Sequence, residues 1–475
     1  MSNVNSQSAI KAASDSVLNH SSDLKPDVLE GSILRTTIKV GAPILVSFIF
    51  MFLYNLVNSL FLANIDRSST AIISGVSLVL PIYNFFMALS TGLRVGISSL
   101  VARSIGENNH QKLKDSFNSG LFITIILTVV SLSLFYLFHE RIIILLAGKE
   151  LKPEAIRAAI DYLVYLLPGL GLLLLGQPFI GVLWGEGLTV PFGITIIISN
   201  ILNIVLDALF IFKFHMGPAG AALATSLSLG LAALYLVPYF IYRKTPVPLS
   251  FKTSQINKNS ILEICNIGFS QVFSMFSISV AFMVLNRLIG SIGQPEMNSW
   301  GLCYRLDSFV LLPLYAISGA SLIMLGQNYG NRNWDRFKKI YLSNISYALI
   351  CMFCLSVLYI FCAPYLFKLF SNVEEVIRGS VLQVRIVTLS FLGLAIEVVS
   401  TSTFQGIGRP FAAFWLAAIR MFGFAIPLSY FAVYRLSLGM LGVFISFIIA
   451  HIGVAIIAYL WVNKEFNKLV YDNRR

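Results

Sequence analysis

The sequence predicts an all-α polytopic membrane protein of about twelve transmembrane helices, arranged as two parallel-repeat six-helix bundles around a central cavity. Three observations carry this. Of the 475 residues, 57% are hydrophobic and only 12% charged, with a mean hydropathy of +0.80, where a soluble chain would carry about 25% charge. Apolar runs long enough to cross a hydrocarbon core of ~30 Å at 1.5 Å per residue recur along the whole length. Alternation of polar and apolar residues at period two is scarce, so a β-barrel is disfavoured and helices must satisfy the backbone within the bilayer.

Taken in order, residues 1–37 are polar and Ser-rich and read as a cytoplasmic tail. They lack a basic-then-apolar start, so no signal peptide is expected. The stretch LEGSILRTTIKV, Leu29 to Val40, is expected as an interfacial helix lying on the membrane surface. Spans are then expected near 41–63, 71–101, 117–138, 158–183, 189–213, 219–242, 262–289, 299–325, 341–363, 381–404, 411–434 and 440–462. This divides the chain into an N-terminal bundle over 38–242, a cytoplasmic linker over 243–260 containing Pro246 and Pro248, a C-terminal bundle over 261–463 and a tail over 464–475.

Lys and Arg are about twice as numerous on the tails and even-numbered turns as on the odd-numbered turns, which places both termini in the cytoplasm and the protein in the cell (inner) membrane. The net charge of +12 is therefore read as topology, and no nucleic-acid partner is expected. Five cysteines, Cys265, Cys303, Cys351, Cys354 and Cys362, lie in or beside apolar runs, so no disulfide framework is implied. Cys351 and Cys354 have CxxC spacing but no second pair or nearby His, and no metal site is expected.

The halves resemble each other. The segment opened by Gly75 ends in a Gly-then-polar turn at Gly106, and 224 residues later the same kind of turn follows at Gly330. Gly217 and Gly439 each begin a Gly-x-x-Gly that opens the last helix of its half. Six spans per half return the chain to the side it started from, so the repeats are parallel, related by an axis along the membrane normal.

The stretch SNILNIVLDALFIFKFHMGPAGAALATS, Ser199 to Ser226, places one carboxylate, Asp207, in the middle of a long apolar run. Asn203 precedes it by four residues and Asn200 by seven, so all three share one helix face. An Asp at a membrane-helix centre costs ~2.5–3.5 kcal/mol to insert, and such residues bind ions, protons or a partner charge. The alternative is a polar cluster that only ties helices together.

At these residues the chain resembles the multidrug and toxic compound extrusion (MATE) transporters. The tandem six-helix halves, YNLVNSLFL after Pro43, SLVARSIGENN, LGQNYGNRNWDRFKK, NIVLDALFIF followed by MGPAGAALAT, and FQGIGRP carry the resemblance from about residue 30 to 460. It implies a secondary antiporter that exports an organic, often cationic or drug-like compound in exchange for H+ or Na+. Within the family the DinF-like branch is most similar, and the resemblance implies a cation or proton site in the first bundle at Asp207, Asn203 and Thr225. The branch's first-helix Asp is Asn58 here. Two neighbouring carboxylates would share a proton. A lone Asp207 can still carry one proton or, with the oxygens of Asn58, Asn203 and Thr225, hold Na+. Relatives that use a seventh-helix Glu are not matched, since Gly268 to Leu288 contains no carboxylate.

Other polar residues are assigned to a substrate cavity: Tyr54, Asn55 and Asn84 on the first two helices, Arg94 and Glu397. Tyr83 lies beside Asn84. Arg94 either pairs with an acid or anionic cargo or snorkels to the headgroups, the preferred reading. Glu397, the deepest acid of the second half, is either a second functional carboxylate or an ion-pair partner of Arg420 or Arg305. His451 reads as a core residue. No cofactor beyond the coupling ion is implied, the partners are a small organic molecule and the bilayer, and a monomer is expected. The alternative function is a flippase for a lipid-linked envelope precursor, with Arg94 and the second-half arginines holding a pyrophosphate. No HExxH, GxSxG or P-loop pattern appears, and no enzyme is expected.

Overall fold

A computed structural model describes residues 27–65, 71–147, 152–242 and 256–472. The tail before residue 27, most of the expected linker and the side chains at positions 55 and 58 lie outside this description. Among the described residues every regular element is helical, and apolar side chains such as Leu145, Phe361 and Leu369 face outward, as lipid contact requires.

The first half consists of α1 (Ile33–Ile65), α2 (Ala71–Gly106), α3 (His110–Ala147), α4 (Pro153–Gly185), α5 (Val190–Asp207) continued by a π-turn (Ala208–Lys213), and α6 (Gly217–Tyr242). The second half begins with α7 (Lys258–Ile292), whose start is capped by the Asn257 side chain accepting from the Asn259 N–H at 2.8 Å. Next come α8 (Gln294–Val310) and α9 (Leu312–Gly330), two parts of one span bent by 45° just before Pro313. The rest is α10 (Trp334–Phe370), α11 (Glu374–Val387), α12 (Phe391–Gly406), α13 (Pro410–Ala418), a second π-turn (Ile419–Ala425), α14 (Ile426–Tyr434) and α15 (Gly439–Asp472). Among the described residues eleven helical segments have the length and apolarity to cross a membrane, and the bent pair taken as one span makes twelve.

Two expectations shift. The surface helix expected over Leu29 to Val40 does not form as a separate element: α1 is continuous from Ile33 through Pro43, because a proline in the body of a long helix can bend it without ending it. The last helix continues as far as Asp472, through most of the stretch expected as a tail.

The repeat is visible in the backbone itself. Among the described residues, positive φ occurs at Asn108, Gly187, His215 and Gly217 and again at Arg332, Gly408, Ser437 and Gly439. Each second-half member lies 221–224 residues after its counterpart. Gly217 and Gly439, at φ +57° and +53°, begin the last helix of each half, in a conformation that costs a residue without Cβ little.

Each half has its own apolar core, around Phe86, Leu163 and Leu170 in the first and Phe337, Phe404 and Phe444 in the second. A third core is shared: Ile44, Ile97 and Leu100 of the first half pack with Ile264, Ala320 and Ile323 of the second. The shared core lies toward the side that carries the turns after α2, α4, α9 and α12, and we call this the terminus side because the described chain starts and ends there. Here the backbones meet at van der Waals limits. A Cβ on Gly106 would overlap the Gln327 carbonyl, and one on Gly330 would overlap the Arg103 carbonyl, so the two repeat-related turns cross reciprocally. Polar links cross the same surface. Arg103 pairs with Glu263, Gln327 donates to the Gly185 carbonyl (2.8 Å), and Thr37 donates to Asn344 (2.8 Å).

Candidate functional site

Asp207 is the last residue of α5, and its side chain is 0% exposed. Ser199, Asn200 and Asn203 are buried on the same face, as the 3.6-residue period requires. Directly after Asp207 the helix widens into the Ala208–Lys213 π-turn, a feature that commonly marks functional positions because it shifts the register of the side chains.

The carboxylate is held by an amide rather than by a cation. With its amide oriented to satisfy both ends, Asn203 donates to Asp207 Oδ2 at 2.6 Å and to the Tyr54 hydroxyl at 3.0 Å. Its oxygen accepts from the Thr225 backbone N–H at 3.0 Å and lies 3.1 Å from the Thr225 hydroxyl, which donates to the Ala221 carbonyl. Asp207 Oδ1 has no hydrogen-bond partner. Among the described residues no Lys, Arg or His forms an ion pair with Asp207. Tyr54 and Tyr162, from α1 and α4, stand within electrostatic reach of it, and Tyr83 on α2 lies close to both tyrosines.

The structure thus brings Asp207, Asn203, Thr225 and Tyr54 together. Tyr54, assigned from sequence to the substrate cavity, accepts a hydrogen bond from the amide that holds the carboxylate. Tyr162 had no signal in the sequence, since one tyrosine in an apolar run reads as packing. Asn55 and Asn58 lie outside the described side chains. Asn84 is exposed.

Arg94 and Glu397 lie elsewhere. Arg94 does not snorkel: its guanidinium lies 4.7 Å from the Trp184 ring centre and 5.3 Å from that of Phe192, and these two rings meet edge to face. Stacking on two aromatic faces offsets part of the cost of burying this cation. Glu397 on α12 pairs with Arg420 on the second π-turn at 2.7 Å, their side chains 4% and 11% exposed. Arg305 and Arg385, in contrast, are exposed. His451 is buried and its Nδ1 lies 2.7 Å from the Ser390 hydroxyl. Of the residues assigned from sequence to one substrate cavity, the four described ones, Tyr54, Asn84, Arg94 and Glu397, are therefore in four different places.

A cavity of about 370 Å³ lies entirely within the second bundle, between α7, α8, α9, α11, α12, α13 and α15, with Glu397 and Arg420 in its wall. Its size is in the range of small-molecule sites. No group of three or more His, Cys, Asp or Glu that could hold a metal occurs among the described residues.

The sequence profile of the MatE family matches residues 43–209 and 271–431, one segment in each half. The chain belongs to the MATE family. Like other MATE proteins it is a transporter and not an enzyme. It is similar to the multidrug export protein MepA of Staphylococcus haemolyticus, with 25% identity over 456 residues covering 93% of this chain and 96% of that protein. MepA of Staphylococcus aureus strain NCTC 8325 is 24% identical over 452 residues, with the same coverage. Among solved structures, a MATE multidrug resistance transporter in an outward-facing conformation superposes with a TM-score of 0.87 at 24% identity, over 94% of this chain and 99% of that one. A MOP superfamily transporter from Pyrococcus furiosus Vc1, in which reverse polarity of the binding pocket suggests a different function, superposes with a TM-score of 0.85 at 26% identity, over 94% and 98%.

Proposed function

We propose that this MATE transporter is a proton-coupled antiporter that exports organic, drug-like compounds by alternating access, with Asp207 as the proton carrier. The observation that carries the reading is a fully buried carboxylate with one oxygen on an amide N–H, the other unpartnered, and no cation beside it. Such a group binds a proton at its unpartnered oxygen without disturbing any ion pair. A Na+ in the same place needs several oxygen ligands, and Asn203 turns its nitrogen, not its oxygen, toward the carboxylate. The tyrosine hydroxyls around the site supply a short polar environment through which a proton can reach it.

The coupling follows from differential affinity. Proton binding at Asp207 favours one arrangement of the two bundles and cargo binding the other, and each effect is limited by the difference in affinity between the two arrangements. One proton entering down a potential of 100 mV supplies ~2.3 kcal/mol. The bundles here are closed on the terminus side by the shared core and the Arg103–Glu263 pair. With cytoplasmic termini in a bacterial-type inner membrane, this is an outward-facing arrangement.

A flippase needs several arginines in one groove to hold a pyrophosphate. Arg94 is stacked on rings, Arg420 is paired, and Arg305 and Arg385 are exposed, so the export reading is preferred. The test is uptake of a fluorescent organic cation by inside-out vesicles under an imposed pH gradient and, separately, a Na+ gradient. Wild type is expected to respond to the pH gradient alone, and Asp207→Asn to insert normally but fall at least tenfold toward background. Full uptake by Asp207→Asn would refute the assignment.

A further inference from the structure

The chain just ahead of α1 is held by the other half of the molecule. Residues 27–31 form a tight turn in which the Glu30 N–H donates to Asp27 Oδ1 (2.9 Å) and the Gly31 N–H to the Asp27 carbonyl (3.0 Å). A Cβ on Gly31 would stand 2.5 Å from that carbonyl, so the turn closes only with glycine. Val28 is 3% exposed and joins the apolar core of the second half. Arg336, in the first turn of α10, gives its guanidinium donors to main-chain carbonyls of this turn. Its Nε and Nη2 donate to Val28 (3.3 and 3.2 Å), Nη2 also to Gly31, and Nη1 to Glu30 (3.4 Å). The Asn328 amide on α9 donates to the Val28 carbonyl as well, at 3.2 Å.

The repeat offset of 224 residues places Lys112 opposite Arg336 and Ser104 opposite Asn328. Lys112 pairs with Glu107 of its own turn at 2.8 Å, and the Ser104 hydroxyl donates to the Leu100 carbonyl of its own helix at 2.8 Å. Both groups are satisfied locally, so the grip on residues 27–31 is an addition to the repeat and not a by-product of it. Further along, α1 is held by the first half. Tyr54 accepts from Asn203, the amide that holds Asp207, and a Cβ on Gly193 of α5 would stand 3.1 Å from Ser47 Oγ. Ser32 alone separates the gripped Gly31 from Ile33, where α1 starts, a slack of at most ~7 Å.

We propose that residues 27–31 are a latch that keeps the terminus side closed, with Arg336 as its positioning residue. When α1 moves with the first half by more than that slack, the carbonyls leave the Arg336 fork, so opening of the terminus side and release of the latch are one event. The grip uses charge-assisted bonds from a rigid fork to several carbonyls at once, which a lysine cannot reproduce.

The latch rests on the alternating-access reading, but the two are tested separately. The full-length protein in lipid nanodiscs carries spin labels on noncanonical side chains, which leave the five cysteines in place. One pair, at the exposed positions His110 and Lys339, reports the terminus side; a second pair, at the exposed Glu30 and Lys339, reports the latch. Arg336→Ala and, separately, deletion of residues 1–31 are expected to raise the long-distance fraction of the first pair about threefold or more over wild type. Arg336→Lys is expected to follow Arg336→Ala, whereas Glu30→Ala, which leaves the gripped carbonyl in place, is expected to match wild type. The long-distance fractions of the two pairs are expected to rise and fall together in wild type. Unchanged distances in the Arg336→Ala and deletion variants, full rescue by Arg336→Lys, or a latch pair that stays short while the terminus side lengthens overturns the proposal. Where Arg336→Ala does not fold, the deletion variant, which leaves Arg336 intact, decides. Gradient-driven uptake by wild-type vesicles combined with any of the overturning results rejects the latch and keeps the exporter. The expected distances without gradient-driven uptake of any compound keep the latch and reject the exporter.

Discussion

The two bundles share a backbone plan and differ in what they bury. Both last helices begin at a glycine of positive φ, and in each half a π-turn interrupts the span before it. In the first half the buried carboxylate Asp207 is met by the Asn203 amide, which also donates to Tyr54. In the second the buried carboxylate Glu397 is met by Arg420. Protonating a carboxylate beside an arginine would leave a buried cation uncompensated. A carboxylate beside an amide has no such restraint. If Asp207 is the proton carrier as proposed, the charge changes in the first half while the Glu397–Arg420 pair of the second stays fixed.

The comparison can be broken most sharply at the ion pair. Arg420→Gln alone leaves Glu397 buried without its cation and is expected to lower stability by about 3–5 kcal/mol. Asp207→Asn removes a charge that has no partner cation and is expected to leave the thermal midpoint close to wild type. Parallel melts of the two purified variants in one detergent decide this. Equal losses would mean that Asp207 also depends on an unseen partner.

A smaller effect is expected where the halves touch. A Cβ on Gly92 would stand 2.7 Å from the Gly268 carbonyl, so Gly92→Ala forces the helices apart at a cost of about 1–3 kcal/mol. Spin-label distances across the terminus side should lengthen in that variant, and unchanged distances would show that this crossing does not set the closed arrangement. Removing the Arg94 stack by Arg94→Gln is expected to cost about 0.5–2 kcal/mol, read as a lowered melting midpoint with the pH-driven transport direction retained. The smallest change is Tyr54→Phe. It deletes one acceptor of the Asn203 amide, about 0.5–1.5 kcal/mol, and sharpens the comparison if it alters the pH profile of transport while the same measurement on Tyr315→Phe does not.

Much of the site was legible in the sequence because it depends on short separations. Asn203 and Asp207 are four apart on one helix, so any α-helix places them on one face. Thr225 came from its motif. The sequence marks Tyr54 as polar but not as Asn203's partner, because the separation between α1 and α5 along the chain says nothing of a hydroxyl at 3.0 Å from an amide. For the same reason the sequence favours snorkelling for Arg94: an arginine some eighteen ångströms up a helix, at 1.5 Å per residue, can reach the headgroups, and only the aromatic pair from α4 and α5 offers it something better. Glu397 had two possible partners in the sequence, and packing selected Arg420 while leaving Arg305 exposed.

Hydropathy, charge placement and the paired glycine turns by themselves determined a twelve-span, two-half membrane protein with a deep carboxylate in each half, Asp207 and Glu397; transport is what the family resemblance implied. Those properties follow from the period of a helix and the thickness of a bilayer, which act locally along the chain. Which buried charge has a cation partner, which face of the molecule is closed, and that a drug-sized cavity lies inside the second bundle were decided by tertiary structure alone. Each depends on distances between helices far apart in sequence, and close packing of apolar side chains, not any local pattern, sets those distances.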